Sequence, residues 1–132
     1  DGVTTYFEHE TGTNQIKAGT TSAIAANIQS GDFDLDQKGL AGDGEFMMKI
    51  RRVIPDFLTQ TGDARVTLNL KNYPTDAQAS SSLGPFTSST TTTKIDTRAR
   101  ARAISLKVDN TSTTQHWKLG TFRLDIQPDG RR

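Results

Sequence analysis

The sequence predicts an all-β protein built mainly from antiparallel sheets, either a β-sandwich or a barrel-like fold. Several stretches alternate apolar and polar residues with a period of two, which is typical of strands with one buried face. Gly-Asp, Asp-Gly and Pro-Asp-Gly turn signals punctuate the chain. A helical composition occurs only in "SAIAANI" at residues 22–28, and its apolar residues alternate as well, so we predict a strand there too. Elements of this kind pack as sheet on sheet.

Two stretches in the middle of the chain predict strands with one solvent-exposed face. In "EFMMKIRRVI", Phe46, Met48 and Ile50 point one way, and the strand ends before Pro55 because proline has no N–H for a sheet ladder. After a Gly-Asp turn, "ARVTLNL" at residues 64–70 alternates in the same way. Its inward residues are Val66, Leu68 and Leu70, and its outward residues are Arg65, Thr67 and Asn69. Each stretch therefore predicts a strand with one buried face and one solvent-exposed face.

The stretch "RARARAISLKV" at residues 98–108 predicts one strand with an unusual face. With a period of two, its three arginines share a side with Ile104, Leu106 and Val108, and its alanines lie on the other side. After a loop at residues 109–115, "HWKLGTFRLDIQ" places Phe122, Leu124 and Ile126 on one face. We therefore predict that the two stretches pair as an antiparallel hairpin.

The length predicts a single β domain over residues 1–132. Residues 75–94 are rich in serine and threonine, which predicts a long surface loop, with residues 90–93 as a candidate edge strand. The apolar fraction is only 33%, against about 45–50% in globular chains when glycine is counted. The core is thus either thin or completed by partner subunits. Because the chain begins with Asp1, we expect trimming or a longer parent polypeptide.

The charge is nearly balanced but unevenly distributed. The net charge of +1 argues against a general polyanion binder. Residues 1–63 hold ten acids and five bases, whereas residues 64–132 hold five acids and eleven bases. Such asymmetry leads either to ion pairs within the chain, which we favour, or to attraction between neighbouring copies.

No pattern in the sequence predicts an enzyme, a metal site or a cofactor. The absence of cysteine excludes disulfides and thiol catalysis. "EHE" around His9 sends neighbouring side chains to opposite faces, so it makes a poor ligand cluster. Asp32, Asp34 and Asp36 have the spacing of a calcium loop, but Gln37 stands where such a loop needs glycine. No apolar run approaches the roughly 18 residues of a membrane span.

The arginines at the start of "RARARAISLKV" therefore carry the functional question. Alternate strand residues lie roughly 7 Å apart, so three guanidinium groups repel each other unless anions face them. One candidate source of anions is a cross-strand ladder with Asp125 or with acids of the first half of the chain. The others are acids of a neighbouring subunit and the phosphates of a nucleic acid. The near-zero net charge favours the ladder and the subunit contact.

The C-terminal sequence resembles a family of short-tailed phage virion proteins, the tail nozzle or packaged-DNA stabilisation proteins. In that family an Arg-x-Arg-Gly-Arg strand, a loop and a Trp-Arg-Leu-Gly strand lead to a final Pro-Asp-Gly-Arg-Arg. Here "RARAR", "WKLG" and "PDGRR" take those places, with Ala101 for the glycine and Lys118 for an arginine. Upstream, "SGDFDL", "GDGEFMMKIRRVIPDF" and "LKNYP" resemble the family in the same order.

The resemblance implies a structural role in the virion, where the protein would be assembled in the host cytoplasm. It implies a homo-oligomeric ring, commonly of six copies, that closes the tail and conducts or retains the genome. It also implies contacts with other tail or portal-vertex proteins, non-specific proximity to packaged DNA, and a larger propeller-containing protein of which this chain is the C-terminal region. We expect interface or ladder roles for Arg98, Arg100, Arg102 and Arg123, and packing roles for Trp117 and Phe122.

Two other classes of function are open. A carbohydrate- or receptor-binding β-sandwich of a tail fibre would align exposed aromatic residues on one face, and the nine aromatic residues here are scattered. A hydrolase on a β scaffold would need carboxylates clustered in a cleft.

Overall fold

The fold is all-β and antiparallel, as predicted. The computed structural model describes residues 12–35, 45–73, 75–76 and 81–131, which contain twelve strands and no helix. The strands are β1 (Asn14–Lys17), β2 (Thr20–Ala23), β3 (Asn27–Gln29), β4 (Phe33–Asp34), β5 (Met48–Ile54), β6 (Phe57–Thr61), β7 (Ala64–Lys71), β8 (Ser81–Ser88), β9 (Ile95–Ala101), β10 (Ala103–Asp109), β11 (His116–Leu119) and β12 (Arg123–Pro128).

Two larger sheets and two short ribbons make up the described part of the chain. The first sheet has the order β3-β10-β7-β8, with β4 also paired to β10, and the second has the order β12-β5-β9. The ribbons are β1–β2 and β6–β11. None of these described sheets closes into a barrel, so of the two predicted architectures the sandwich-like one is found.

The core lies between the two larger sheets and is aliphatic. Its fully or nearly fully buried members come from β5, β7, β9 and β10: Met48, Ile50, Val53, Ala64, Val66, Leu68, Ile95, Ala99, Ala101, Ile104 and Val108. The alternation in β5 and β7 therefore predicted the buried faces correctly. Asn69 differs from its predicted outward exposure, because it is buried and donates through Nδ2 to Oγ of Ser105 at 3.3 Å.

The stretch 98–108 is two strands rather than one, and the predicted shared face is wrong. β9 ends at Ala101 and β10 begins at Ala103, with a bend at Arg102 between them. The two strands belong to different sheets, and the phase of burial changes at the bend. In β9 it is Ala99 and Ala101 that are buried, while Arg98 and Arg100 face solvent. Small side chains inside the corner let one strand pass from one sheet to the other.

The predicted C-terminal hairpin is also wrong. β10 pairs with β7 on one side and with β3 and β4 on the other, so neither of its edges is free for a returning strand. The return stretch divides instead into β11, which pairs with β6, and β12, which pairs with β5. The pairing partners are thus distant in sequence.

Part of the predicted serine- and threonine-rich loop is a strand. Ser81–Ser88 forms β8 at the edge of the first sheet, paired with β7. Residues 90–93 form no strand, because this segment turns through hydrogen bonds between Ser89 and Thr92. An edge strand needs only one apolar face, and Leu83 and Phe86 supply it.

The predicted strand at residues 22–28 is interrupted. β2 ends at Ala23, and β3 begins only at Asn27. The connecting residues are exposed, and Ile28 remains 49% exposed inside β3. The apolar residues of this stretch therefore do not contribute to the core.

Candidate functional site

The outer face of the β12-β5-β9 sheet carries a concentration of basic side chains. A groove of about 570 Å³ lies on this face. Its lining consists of Lys49, Arg51, Arg52, Asp96, Thr97, Arg98 and Asp125. Because the bases outnumber the acids, this cationic groove favours anions.

Two register shifts at the same level of the sheet build the cationic groove. The pairing of β5 with β9 shifts between Ile50 and Arg52, and the pairing of β12 with β5 shifts between Asp125 and Ile126. Irregular pairing of this kind re-aims side chains. In a regular strand, consecutive residues point to opposite faces. Here Arg51 and Arg52 both line the groove.

Thr97 closes the sheet beneath the groove. Its side chain is buried, and Oγ1 donates a hydrogen bond to the carbonyl oxygen of Ile50 at 2.8 Å. The irregular pairing at this level therefore still provides Ile50 with a polar partner.

The cations of the groove are only partly neutralised. Arg52 Nε donates to Asp96 Oδ1 at 3.1 Å, and this bond holds the pKa of Asp96 below its usual value. Within the described part of the chain, three of the lining cations have no ion-pair partner: Lys49, Arg51 and Arg98. Groups of this kind can bind carboxylate or phosphate oxygens through charge-assisted hydrogen bonds.

Two of the three arginines of the "RARAR" stretch hold the C-terminal segment. Arg100 Nε donates to the Asp129 carboxylate, and its Nη2 donates to the Asp129 carbonyl oxygen at 3.3 Å. Arg102 donates to the carbonyl oxygens of Glu45 at 3.0 Å and Arg131 at 2.9 Å. Of these three arginines, only Arg98 directs its charge towards the groove. The three arginines therefore have different surroundings, although the same role was predicted for all of them.

Residues 129–131 are fastened to the start of β5 by further contacts. Met47 donates its backbone N–H to Gly130 at 2.7 Å and accepts one from Asp129 at 2.8 Å. Arg131 forms an ion pair with Glu45 at 3.1 Å, and its guanidinium lies 5.1 Å from the centre of the Phe46 ring. We call this set of contacts, with those of Arg100 and Arg102, the C-terminal clasp. The predicted ladder to Asp125 is not formed within the described residues, because the carboxylate that Arg100 contacts is that of Asp129.

Trp117 and Phe122 pack inside the chain. Their rings contact Phe57 edge-on, with centroid distances of 6.3 and 6.0 Å respectively. Trp117 also donates through Nε1 to Oδ1 of the buried Asn110 at 3.1 Å. Sequence reasoning missed Phe57 and Asn110, although the aromatic and β-branched residues of "FLTQT" after Pro55 were a signal for β6. Arg123 is exposed at the start of β12.

Other sequence candidates show no assembled centre within the described ranges. No group of three or more histidine, cysteine, aspartate or glutamate residues there could hold a metal ion. Asp32 is bonded to Lys71 at 2.6 Å, while Asp36 and His9 lie outside the described residues. Among the residues that the structure describes, no helix has the length and apolar character required to cross a membrane.

The chain matches no protein-family model, and no curated protein is similar to it at a significant level.

Proposed function

We propose that the chain is a structural domain of a phage tail, of the nozzle or packaged-DNA stabilisation type, which acts by assembling into a ring. The ring, commonly of six copies, closes the tail of the virion and conducts or retains the genome. Its neighbours are further copies, other tail or portal-vertex proteins, and the packaged DNA, which it approaches without reading its sequence. Support for this class of protein comes from the "RARAR", "WKLG" and "PDGRR" motifs in their family order.

The observation that carries the assembly role is incomplete burial. Four large aliphatic side chains of the described residues are between 49% and 64% exposed: Ile16, Ile24, Ile28 and Leu58. Ile16 lies in the β1–β2 ribbon, which pairs with no other described strand, and a two-stranded ribbon is marginally stable without packing on another surface. A subunit in a ring has two interfaces, one to each neighbour. These exposed side chains therefore suit a chain that is buried between copies.

The cationic groove is a suitable contact for a neighbour. Its unpaired cations are Lys49, Arg51 and Arg98, and the excess of acids lies in residues 1–63. Lys49 and Arg51 come from that acid-rich half and Arg98 from the other, so the open groove itself is the surface that attracts acids of the next copy in a head-to-side orientation. The groove also contains Asp96 and Asp125, and such mixed charge is suited to a protein surface with complementary charges.

The test of this function is charge reversal in the groove of the complete protein. Arg51→Glu with Arg98→Glu replaces two exposed cations that have no ion pair with any described residue, so the fold is retained. We expect the wild-type protein to sediment as a multi-copy ring and the double variant to shift towards single copies. Lys118→Glu, which reverses an exposed charge on β11 outside the groove, is the matched control.

Two results contradict the proposal. One is a wild-type protein that remains a single copy at high concentration. The other is normal assembly of the double variant together with loss of binding to a sugar or receptor. Among the described residues, Tyr73 is the one strongly exposed aromatic side chain, so this surface offers no aromatic row for a carbohydrate.

A further inference from the structure

The first described segment of the chain forms an exposed arm. The arm comprises residues 12–26, in which β1 and β2 pair with each other and with no other strand that the structure describes. Ala18 and Gly19 turn the chain between them with φ values of +49° and +76°. Ile16 is 63% exposed and Ile24 is 51% exposed. A two-stranded ribbon is marginally stable in water without packing on another surface.

The root of the arm is fixed to the body of the domain. The buried Asn110 donates through Nδ2 to the carbonyl oxygen of Ile24 at 3.0 Å, and through its backbone N–H to that of Ala26 at 3.1 Å. Thr114 donates its backbone N–H to Oδ1 of Asn14 at 2.6 Å. The arm is therefore anchored next to the loop after β10, and its isoleucines are presented to solvent.

An apolar recess lies at the opposite edge of the same sheet. This edge groove, of about 340 Å³, lies between β8 and β9 and is lined by Leu83, Phe86, Asp96, Thr97 and Arg98. Leu83 and Phe86 form its apolar part, and the exposed Asp96 and Arg98 form a charged rim.

A register shift in β8 forms the edge groove. The pairing with β7 shifts between Val66 and Leu68, which places Leu83 and Phe86 on the same face although three positions separate them. Gly84 lies at this shift with φ of +114°, and a Cβ there would lie only 2.8 Å from the Val66 carbonyl oxygen. The close backbone approach therefore requires glycine.

The strand order separates the arm from the edge groove of its own copy. The arm leads into β3 at one edge of the β3-β10-β7-β8 sheet, and the edge groove adjoins β8 at the other. Three strand spacings of about 4.8 Å lie between those edges. The anchored root keeps the arm on the β3 side. One copy thus presents an apolar projection at one end and an apolar recess at the other.

We propose that the arm of one copy docks into the edge groove of the next copy. Ile16 packs against Leu83 and Phe86, and Lys17, the one charged residue of the arm, lies next to Asp96 at the rim. Asp96 also pairs with Arg52 and Lys94 of its own copy, so the apolar contact of Ile16 is the main part of the docking. The contact is heterologous, so repetition from copy to copy generates a ring when the rotation closes. This inference rests on the proposed assembly and names the surfaces that carry it.

Cysteine cross-linking in the complete protein tests the contact directly, because the chain has no cysteine of its own. An Ile16→Cys variant is mixed with a Leu83→Cys variant under oxidising conditions, so a mixed disulfide forms only between copies. We expect efficient formation of the mixed product. The control mixture replaces Ile16→Cys with Leu58→Cys, a similarly exposed aliphatic position on β6, and should cross-link weakly.

A second variant tests the arm without touching the half-buried groove. Ile16→Asp places a charge at a position that is exposed in the single copy, so folding is unaffected. We expect at least about a tenfold loss of association, as for an interface anchor.

If wild-type rings form but Ile16→Asp leaves them unchanged, or the two cysteine mixtures react equally, the arm contact is wrong while the assembly role stands. Loss of incorporation into tails without any Ile16–Leu83 cross-link would assign the arm to a different tail protein and overturn the second copy as its partner. Failure of the wild type to associate overturns both proposals.

Discussion

The sandwich and the arm differ in how far their apolar side chains are buried. In the sandwich, Ile50 and Leu68 are completely buried between two sheets. In the arm, Ile16 and Ile24 remain more than half exposed although their strands are paired. Both regions consist of antiparallel strand pairs, so the presence of strand pairing does not distinguish them. The sandwich therefore stabilises the single chain, and the arm is the segment for which we propose a partner.

Arg102 and Arg98 also differ in their contacts with the rest of the fold. Arg102 is bonded to the carbonyl oxygens of Glu45 and Arg131, whereas Arg98 lines an open groove with no ion-pair partner among the described residues. These two side chains are chemically identical and lie four positions apart, but their roles differ. Arg102 holds the C-terminal segment, and Arg98 faces the open groove.

The largest expected effect comes from opening a cavity in the sandwich. Leu68→Ala should lower the free energy of unfolding by about 2–5 kcal/mol, because it removes a fully buried side chain. Leu58→Ala, at a position that is 64% exposed, should change it by less than about 0.5 kcal/mol. Urea unfolding followed by circular dichroism measures both, and equal losses would contradict the assignment of the core.

The next effect separates the two arginines. Arg102→Ala should lower the free energy of unfolding by about 1–3 kcal/mol, because it removes charge-assisted bonds to two backbone carbonyls of the C-terminal clasp. Arg98→Ala should leave stability within about 0.5 kcal/mol of wild type but weaken assembly. Urea unfolding of the two variants measures both changes in stability. A larger loss for Arg98→Ala than for Arg102→Ala would contradict the stabilising role given to Arg102.

A smaller effect is expected at a cross-strand ion pair. Arg65 Nε and Nη2 donate to the two carboxylate oxygens of Asp109 at 2.6 and 2.9 Å, and these bonds raise the pKa of Arg65. Asp109→Asn should cost about 1 kcal/mol of stability, since the pair is partly exposed and solvent weakens it. Asp125→Asn is the control, because Asp125 has no ion pair within the described residues. Equal effects at the two positions would show that the pair between β7 and β10 contributes nothing.

The smallest effect is the titration of Asp96. Its bond to Arg52 lowers its pKa in the folded state below the ordinary value of 3.8. The stabilisation is therefore present above that value and is lost as the pH falls below it through the folded-state pKa. Carboxyl-carbon NMR should find Asp96 titrating below 3.8 in the wild type and closer to 3.8 in Arg52→Gln. A titration curve unchanged by that substitution would remove the pair as the cause.

The fold class and the faces of two central strands were predictable because aliphatic alternation reports burial directly. Met48, Ile50, Val66 and Leu68 all point inward as their spacing indicates. The corner at Arg102 was not predictable, because alanine is small enough to suit either face and carries little signal of burial. β8 was missed because serine and threonine surround its only large aliphatic and aromatic side chains, Leu83 and Phe86, and its register shift hides their common face.

The candidate site was predictable in part. The basic stretch at residues 98–102 correctly drew attention to β9, because alternating charges on a strand must meet partners or solvent. Which arginine meets which partner depends on contacts with Glu45, Asp129 and Arg131, which lie far away in sequence. The role of Arg51 depends on register shifts, which a period of two does not reveal.

Electron microscopy of the native particle, with this chain located in its density, tests the central claim most directly. The account predicts a closed ring in which the cationic groove and the arm are both covered, with each arm lying against Leu83 and Phe86 of the adjacent copy. A particle that contains one isolated copy, fully folded and with both surfaces open to water, would contradict it.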